Sequence, residues 1–157
     1  MNKKSFFKYL IIFIVLNFGA LGFGTLLSGE GAFSEWYQLL NKAPWTPPGR
    51  VFGAAWVCVM LCFSFFMAIL FAKRENKNRL IVIYVLQWIL NVSWNPAFFY
   101  YHNSELGLII IFLLNVVVAY FLFGYLQLAR LYALLTLPYF IWIIIATSLN
   151  MYIVIFN

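Results

Sequence analysis

Apolar residues run almost unbroken through five stretches of this chain, at 6–27, 51–72, 80–101, 106–126 and 131–156, and polar residues gather in the segments between them. Each stretch is close to the roughly 20 residues that an α-helix needs to cross a hydrocarbon core. Backbone amides in lipid have no water to pair with, so runs of this kind are predicted to be helices. The pattern therefore predicts an all-α integral membrane protein, a five-transmembrane-helix bundle forming one domain over 1–157.

The connecting segments are unequal. The first, at 28–50, is long; a basic turn follows at 73–79, a short polar turn at 102–105, and a tight turn near Arg130. Inside the first loop, Phe33, Trp36, Tyr37 and Leu40 fall at helical spacing, which predicts a brief helix in the interface, where Trp and Tyr partition well. Trp45-Thr46-Pro47-Pro48-Gly49 comes next. Proline fixes φ and stiffens a loop, and a stiff loop carrying a large flat ring makes a good lid over a space between helices. Lys3, Lys4 and Lys8 give the first run a signal-like front, but the run continues past Gly19-Ala20 to Leu27, longer than a signal core, and is read as a retained span.

Composition agrees. Of 157 residues, 66% are hydrophobic and 9% charged, against about a quarter charged in soluble domains. A net charge of +6 would suggest nucleic acid in a soluble protein. Here the ten basic residues stand at segment ends, which points to membrane lipid and away from nucleic acid. Lys3, Lys4, Lys8, Lys73, Arg74, Lys77, Arg79 and Arg130 fall on one side of the predicted topology, and only Lys42 and Arg50 on the other. Positive charge favours the inner side, so the N-terminus is expected in the cytoplasm, with the first loop and the C-terminus outside. The lack of an organelle-type presequence favours a bacterial plasma membrane. Cys58 and Cys62, four apart in one run, share a helix face and read as two small buried apolar residues, neither disulfide framework nor metal site.

Asp, Glu, Lys, Arg and His are missing from the middle of every run. That argues against an ion-coupled pump and against a haem protein, which needs an axial ligand at depth. The one histidine, His102, reads as a solvated interfacial residue. What lies at depth is amide and indole. Gln87, Asn91, Trp94, Asn95 and Phe98 follow one helix face in the third run, and Pro138, Trp142, Ala146, Leu149 and Asn150 recur along the fifth. A proline there frees a carbonyl and is expected to bend the helix and open space beside it. Trp56 lies on the second run just below the Trp-Pro loop. Amides in hydrocarbon must find partners; spacing leaves open whether they glue helices together or line an aromatic-walled pocket. Ala20 and Gly24 form a small-x-x-x-small pair on the first run, which permits close helix contact within the bundle or between chains.

Gly29-Glu30-Gly31, Trp36-Tyr37, Trp45-Thr46-Pro47-Pro48-Gly49 and Trp56 resemble the first loop and second helix of the translocator protein family, also called tryptophan-rich sensory protein or peripheral benzodiazepine receptor. Leu90-Asn91-Val92-Ser93-Trp94-Asn95-Pro96-Ala97-Phe98-Phe99 is similar to its third-helix motif, and Pro138-Tyr139-Phe140-Ile141-Trp142 with Ala146-Thr147-Ser148-Leu149-Asn150 to its fifth. The resemblance covers nearly the whole chain. It implies a homodimeric receptor for porphyrins such as protoporphyrin, for isoquinoline carboxamide-type drugs and, in animals, for cholesterol. No cofactor is required; porphyrin is the ligand. The implied binding residues are Tyr37, Trp45, Trp56, Asn91, Trp94, Asn95, Trp142 and Ala146. Some bacterial members are similar in supporting light- and oxygen-dependent porphyrin breakdown, which would give Trp56 and Trp142 a catalytic role, and transport of porphyrin or lipid is a third reading. No ordinary enzyme site accompanies them.

Chemistry fits that implication. Indole rings suit the face of a porphyrin disc, and Arg50 or Lys42 at the outer rim suits a propionate as well as plain interfacial anchoring. Two departures stand out. Ala43, not proline, follows Lys42, and the segment after Leu149 and Tyr152 has no basic residue to complete the sterol motif of animal members. Leu122, Tyr125 and Arg130 satisfy the loose sterol pattern elsewhere.

Overall fold

The computed structural model describes residues 3–73, 77–125 and 130–157. Helix α1 spans Lys3–Leu27, a 3-10 turn Gly31–Phe33 leads to the short α2 at Glu35–Leu39, and α3 spans Gly49–Lys73. Helix α4 (Asn78–Asn95) widens into a π-turn at Pro96–Tyr100, α5 covers Ser104–Gly124, and a 3-10 segment Arg130–Thr136 runs into α6 at Leu137–Phe156. Five of these are long and apolar enough to cross a membrane, as the apolar runs predict. Their charged ends, such as Lys3 and Lys73, simply carry the helix past the hydrocarbon. Part of the basic turn (74–76), and the last residue of the fourth run with the tight turn before Arg130 (126–129), lie outside the described residues.

Local chemistry sets the element ends. Ser34 Oγ accepts from the Tyr37 amide at 3.3 Å and starts α2 inside the predicted interfacial stretch; Asn103 Oδ1 accepts from the Leu106 amide at 2.8 Å and starts α5. Pro96 stands where α4 changes register, and the Tyr101 amide reaches back five residues to the Pro96 carbonyl at 2.9 Å. Pro138 corrects an expectation. It does not bend the fifth span from within; it sits in the first turn of α6, where a missing N–H costs nothing. The departure from α geometry lies before it, in the 3-10 segment.

Helix α1 packs on α3 and α4, α5 on α4 and α6, and α3 on α6 and its preceding turn. Phe63, Phe66, Phe121, Tyr139 and Ile143 are fully buried where these faces meet. A polar knot ties three helices: Asn17 Nδ2 donates to Ser64 Oγ at 2.9 Å, and Tyr84 Oη donates to Asn17 Oδ1 at 2.7 Å. Such bonds in lipid are worth about 0.6 kcal/mol on average and up to about 1.7. Ala20 and Gly24 are both buried, with Gly24 against the Asn95 amide of α4, so this small pair serves contact within the bundle. Large side chains such as Val15, Val82, Ile109 and Phe112 face outward. On a soluble protein that surface would aggregate; here it meets lipid tails.

The two ends of the bundle differ. At one, Lys77 Nζ donates to Tyr9 Oη at 3.0 Å, and Lys73 and Arg79 lie over the rings of Tyr132 and Tyr120. At the other, the Asn41 amide donates to Asn157 Oδ1 at 2.8 Å, which fastens the C-terminus to the first loop.

Candidate functional site

The deep aromatic centre is built by α3 and α6. Trp142 meets Phe52 edge to face at 5.1 Å and Trp56 at 6.5 Å, and Trp56 meets Tyr139 at 6.1 Å. Perpendicular rings at these distances touch, so in this conformation no disc fits between them. Trp142 is 7% exposed, and its indole N–H has no acceptor among the described residues. A buried donor left without a partner costs about 1–3 kcal/mol.

Helix α4 adds the amides. Gln87 Nε2 and Asn91 Nδ2 both donate to Tyr139 Oη, at 2.7 and 2.8 Å. Both are buried and held by one phenol, which is helix-to-helix glue of the kind their spacing allowed. One turn outward, Trp94 Nε1 donates to Asn150 Oδ1 at 3.1 Å, and Asn150 Nδ2 donates to the Ser104 carbonyl at 2.8 Å. Trp94 stacks on Phe98 at 5.1 Å with planes 14° apart. Ala146 is half-buried on the α6 face between Trp142 and Asn150, where its small side chain keeps the wall flat. Asn95 is half-buried, with its amide toward Gly24 rather than toward the indoles.

The first loop closes over this end. Tyr37 packs edge-on against Phe98 and Phe99, and Lys42 Nζ lies 4.8 Å over its ring. Burial pushes the Tyr37 phenol above the usual range, so it stays neutral. Trp45 reaches α6, donating to Ser148 Oγ at 3.2 Å and setting its ring edge-on to Tyr152 at 5.5 Å.

The expected residues thus fall into three contiguous groups. Trp56 and Trp142 touch, with Asn91 joined to them through Tyr139; Trp94 and Tyr37 share Phe98 and Phe99; Trp45 clasps the outer turn of α6. Asn95 stands apart. The sequence reading passed over Tyr139, which organises both amides. Its signal was its place three residues before Trp142, on the same face. Cys58 departs from its expected burial: it is exposed, on an apolar groove of about 430 Å³ between α3 and α6 that Pro138 and Trp142 also line.

The chain matches the TspO/MBR family over residues 11–156. It is 33% identical over 116 residues to the tryptophan-rich sensory protein of Cereibacter sphaeroides, covering 74% of this chain and 73% of that one. It is 27% identical over 153 residues to the tryptophan-rich protein TspO of Chlorobaculum tepidum, covering 96% and 95%. It is 28% identical over 126 residues to the human translocator protein, covering 78% and 73%.

Proposed function

The chain belongs to the TspO/MBR family, and from that premise we propose that it is a membrane receptor that binds porphyrins, and isoquinoline carboxamide-type drugs, among α3, α4 and α6 and so regulates tetrapyrrole levels. The observation that carries this reading is the unpartnered indole N–H of Trp142, buried beside Trp56 at the aromatic centre. A guest with a carbonyl or carboxylate acceptor satisfies that donor, while its flat body takes the indole contacts that the two rings now make with each other. Binding therefore requires Trp56 and Trp142 to part. The Trp45 indole above them is held to α6 by one exposed hydrogen bond, worth about 0.5–1.5 kcal/mol, and by its edge contact with Tyr152, while the base of the loop stays tied to Asn157. The site works without a cofactor.

In this reading the protein is a homodimer in a bacterial plasma membrane, with the amino end and the basic turns in the cytoplasm and the Trp45 loop outside. The eight-to-two division of lysine and arginine supports that orientation. Titrating the purified protein with protoporphyrin tests the reading. Tryptophan fluorescence should quench and saturate near one porphyrin per chain, and Trp142→Phe should weaken binding about tenfold, the loss of one buried hydrogen bond. Unsaturable quenching, equal in both proteins, sinks it.

The contact between Trp56 and Trp142 favours a second reading, light- and oxygen-dependent breakdown of the bound porphyrin, because both oxidisable indoles would then border the guest. Illumination in air should consume protoporphyrin faster with protein than without. An unchanged rate after loss of both tryptophans removes this reading and leaves the receptor standing.

A further inference from the structure

A separate cleft of about 590 Å³ opens at the lid-bearing end, bordered by Glu30 and Glu35, by Trp36 and His102, and by Phe99 and Tyr100. None of the porphyrin-site residues lines it. Its wall is built: Trp36 and His102 stack face to face, ring centroids 4.4 Å apart and planes 13° apart, and Phe98 backs Trp36 edge-on at 5.5 Å.

The charge of this cleft runs against that of the molecule. The chain carries +6 overall with only four acidic residues, and two of the four border this one cleft. Among the described residues neither carboxylate has an ion-pair partner. Lys42, the nearest lysine in sequence, is turned to the Tyr37 ring and the Gln38 carbonyl. Leu39, which lines the cleft, is 78% exposed, and Phe33 and Tyr101, next in sequence to lining residues, are 91% and 70% exposed. Such side chains at the ends of spans settle in the headgroup layer, so the cleft opens where water meets hydrocarbon and where amphiphiles concentrate.

We infer that this cleft binds an amphipathic organic monocation, its ammonium group between the two glutamates and the Trp36–His102 stack and its apolar body along Phe99 and Tyr100. Aromatic faces attract ammonium groups through the ring quadrupole, and two carboxylates without an ion-pair partner among the described residues add Coulomb attraction that a neutral amphiphile does not feel. The same carboxylates repel the phosphate of a zwitterionic headgroup and the propionates of a porphyrin. The cleft therefore selects for net positive charge, and the inference stands independently of porphyrin binding.

The test uses the full chain in a maltoside detergent, with hexyltrimethylammonium, hexanol and hexylphosphocholine as water-soluble probes, read by tryptophan fluorescence and calorimetry. Hexyltrimethylammonium should bind saturably, and Glu30→Gln with Glu35→Gln should weaken it about tenfold, the Coulomb loss expected for a partly exposed site. Trp36→Phe keeps an aromatic wall; it should abolish the fluorescence change while calorimetric binding persists. Both glutamates are exposed, so the double variant should keep the parent's melting temperature and porphyrin affinity. Equal binding of hexanol shows an apolar cleft only, equal binding of hexylphosphocholine shows a lipid-headgroup site, and unchanged affinity in the double variant removes the carboxylates; each overturns the inference.

Discussion

The indole N–H of Trp45 donates to Ser148 Oγ across 3.2 Å, joining residues 103 apart in sequence, while the Ser148 hydroxyl donates in turn to the Ile145 carbonyl. Trp45 is 55% exposed, so its indole N–H meets α6 through a bond that water can replace. Ser148→Ala should therefore leave stability within about 0.5 kcal/mol of the parent. Stopped-flow mixing with protoporphyrin should show association and dissociation both faster, several-fold, with the dissociation constant little changed. Unaltered rates would mean that Trp45 is an anchor and some other element is the gate.

Trp94 and Trp142 make a matched pair. Trp94 has an acceptor in Asn150, whereas Trp142 has none among the described residues. Trp→Phe at either position removes an N–H and part of a ring, but only at Trp94 does it break a hydrogen bond. Trp94→Phe should cost about 1 kcal/mol more stability than Trp142→Phe, measured by unfolding in mixed micelles. The order should invert for porphyrin affinity, where Trp142→Phe does the greater damage. The same order in both assays would assign Trp142 to packing alone.

Tyr139 Oη receives two amides and is fully buried, while Tyr84 Oη donates to one. Tyr139→Phe leaves Gln87 and Asn91 without their shared acceptor; Tyr84→Phe deprives Asn17 of one donor and leaves its bond to Ser64. At about 0.6–1.7 kcal/mol per interhelical bond, Tyr139→Phe should destabilise by roughly twice as much. Mixed-micelle unfolding decides it, and equal losses would show that one of the two amides has found another partner.

The spans were legible because hydrocarbon demands length and apolarity, and both are written into single residues. The Trp45 loop stood out as well, since Trp45, Pro47 and Pro48 lie together in the chain, and its indole does reach α6. Tyr139 was harder to see: tyrosine at depth reads as one more aromatic, and only three-dimensional pairing shows that it accepts from α4. Asn17 carried a plainer signal, a lone amide within the first apolar run that has to find a partner. Pro138 misled because proline inside a long apolar run suggests a kink, whereas α6 begins there and the preceding turn is 3-10. Cys58 misled because apolar neighbours along the chain do not say which face meets lipid.

Three glycines test how tightly the helices meet. A methyl group on Gly107 of α5 would stand 3.0 Å from Asn150 Oδ1 and 3.2 and 3.3 Å from Phe98 Cδ2 and Cβ. Phe98 Cβ is fixed to its backbone, and Asn150 Oδ1 holds the Trp94 indole, so neither yields freely. Gly107→Ala should cost about 1–3 kcal/mol, the usual penalty for overpacking. On Gly24 the methyl would come within 2.6 Å of Asn95 Nδ2, the far end of a side chain that can swing away, so Gly24→Ala should cost less than about 1 kcal/mol. Gly19 has nothing within 4 Å, and Gly19→Ala should be neutral or slightly stabilising, because alanine loses less backbone entropy in a helix. Unfolding of the three variants in mixed micelles should rank Gly107 far above Gly24 and Gly24 above Gly19. A Gly19→Ala variant that is the most damaged would place another chain against that face of α1, and would be evidence that the protein forms a homodimer through α1.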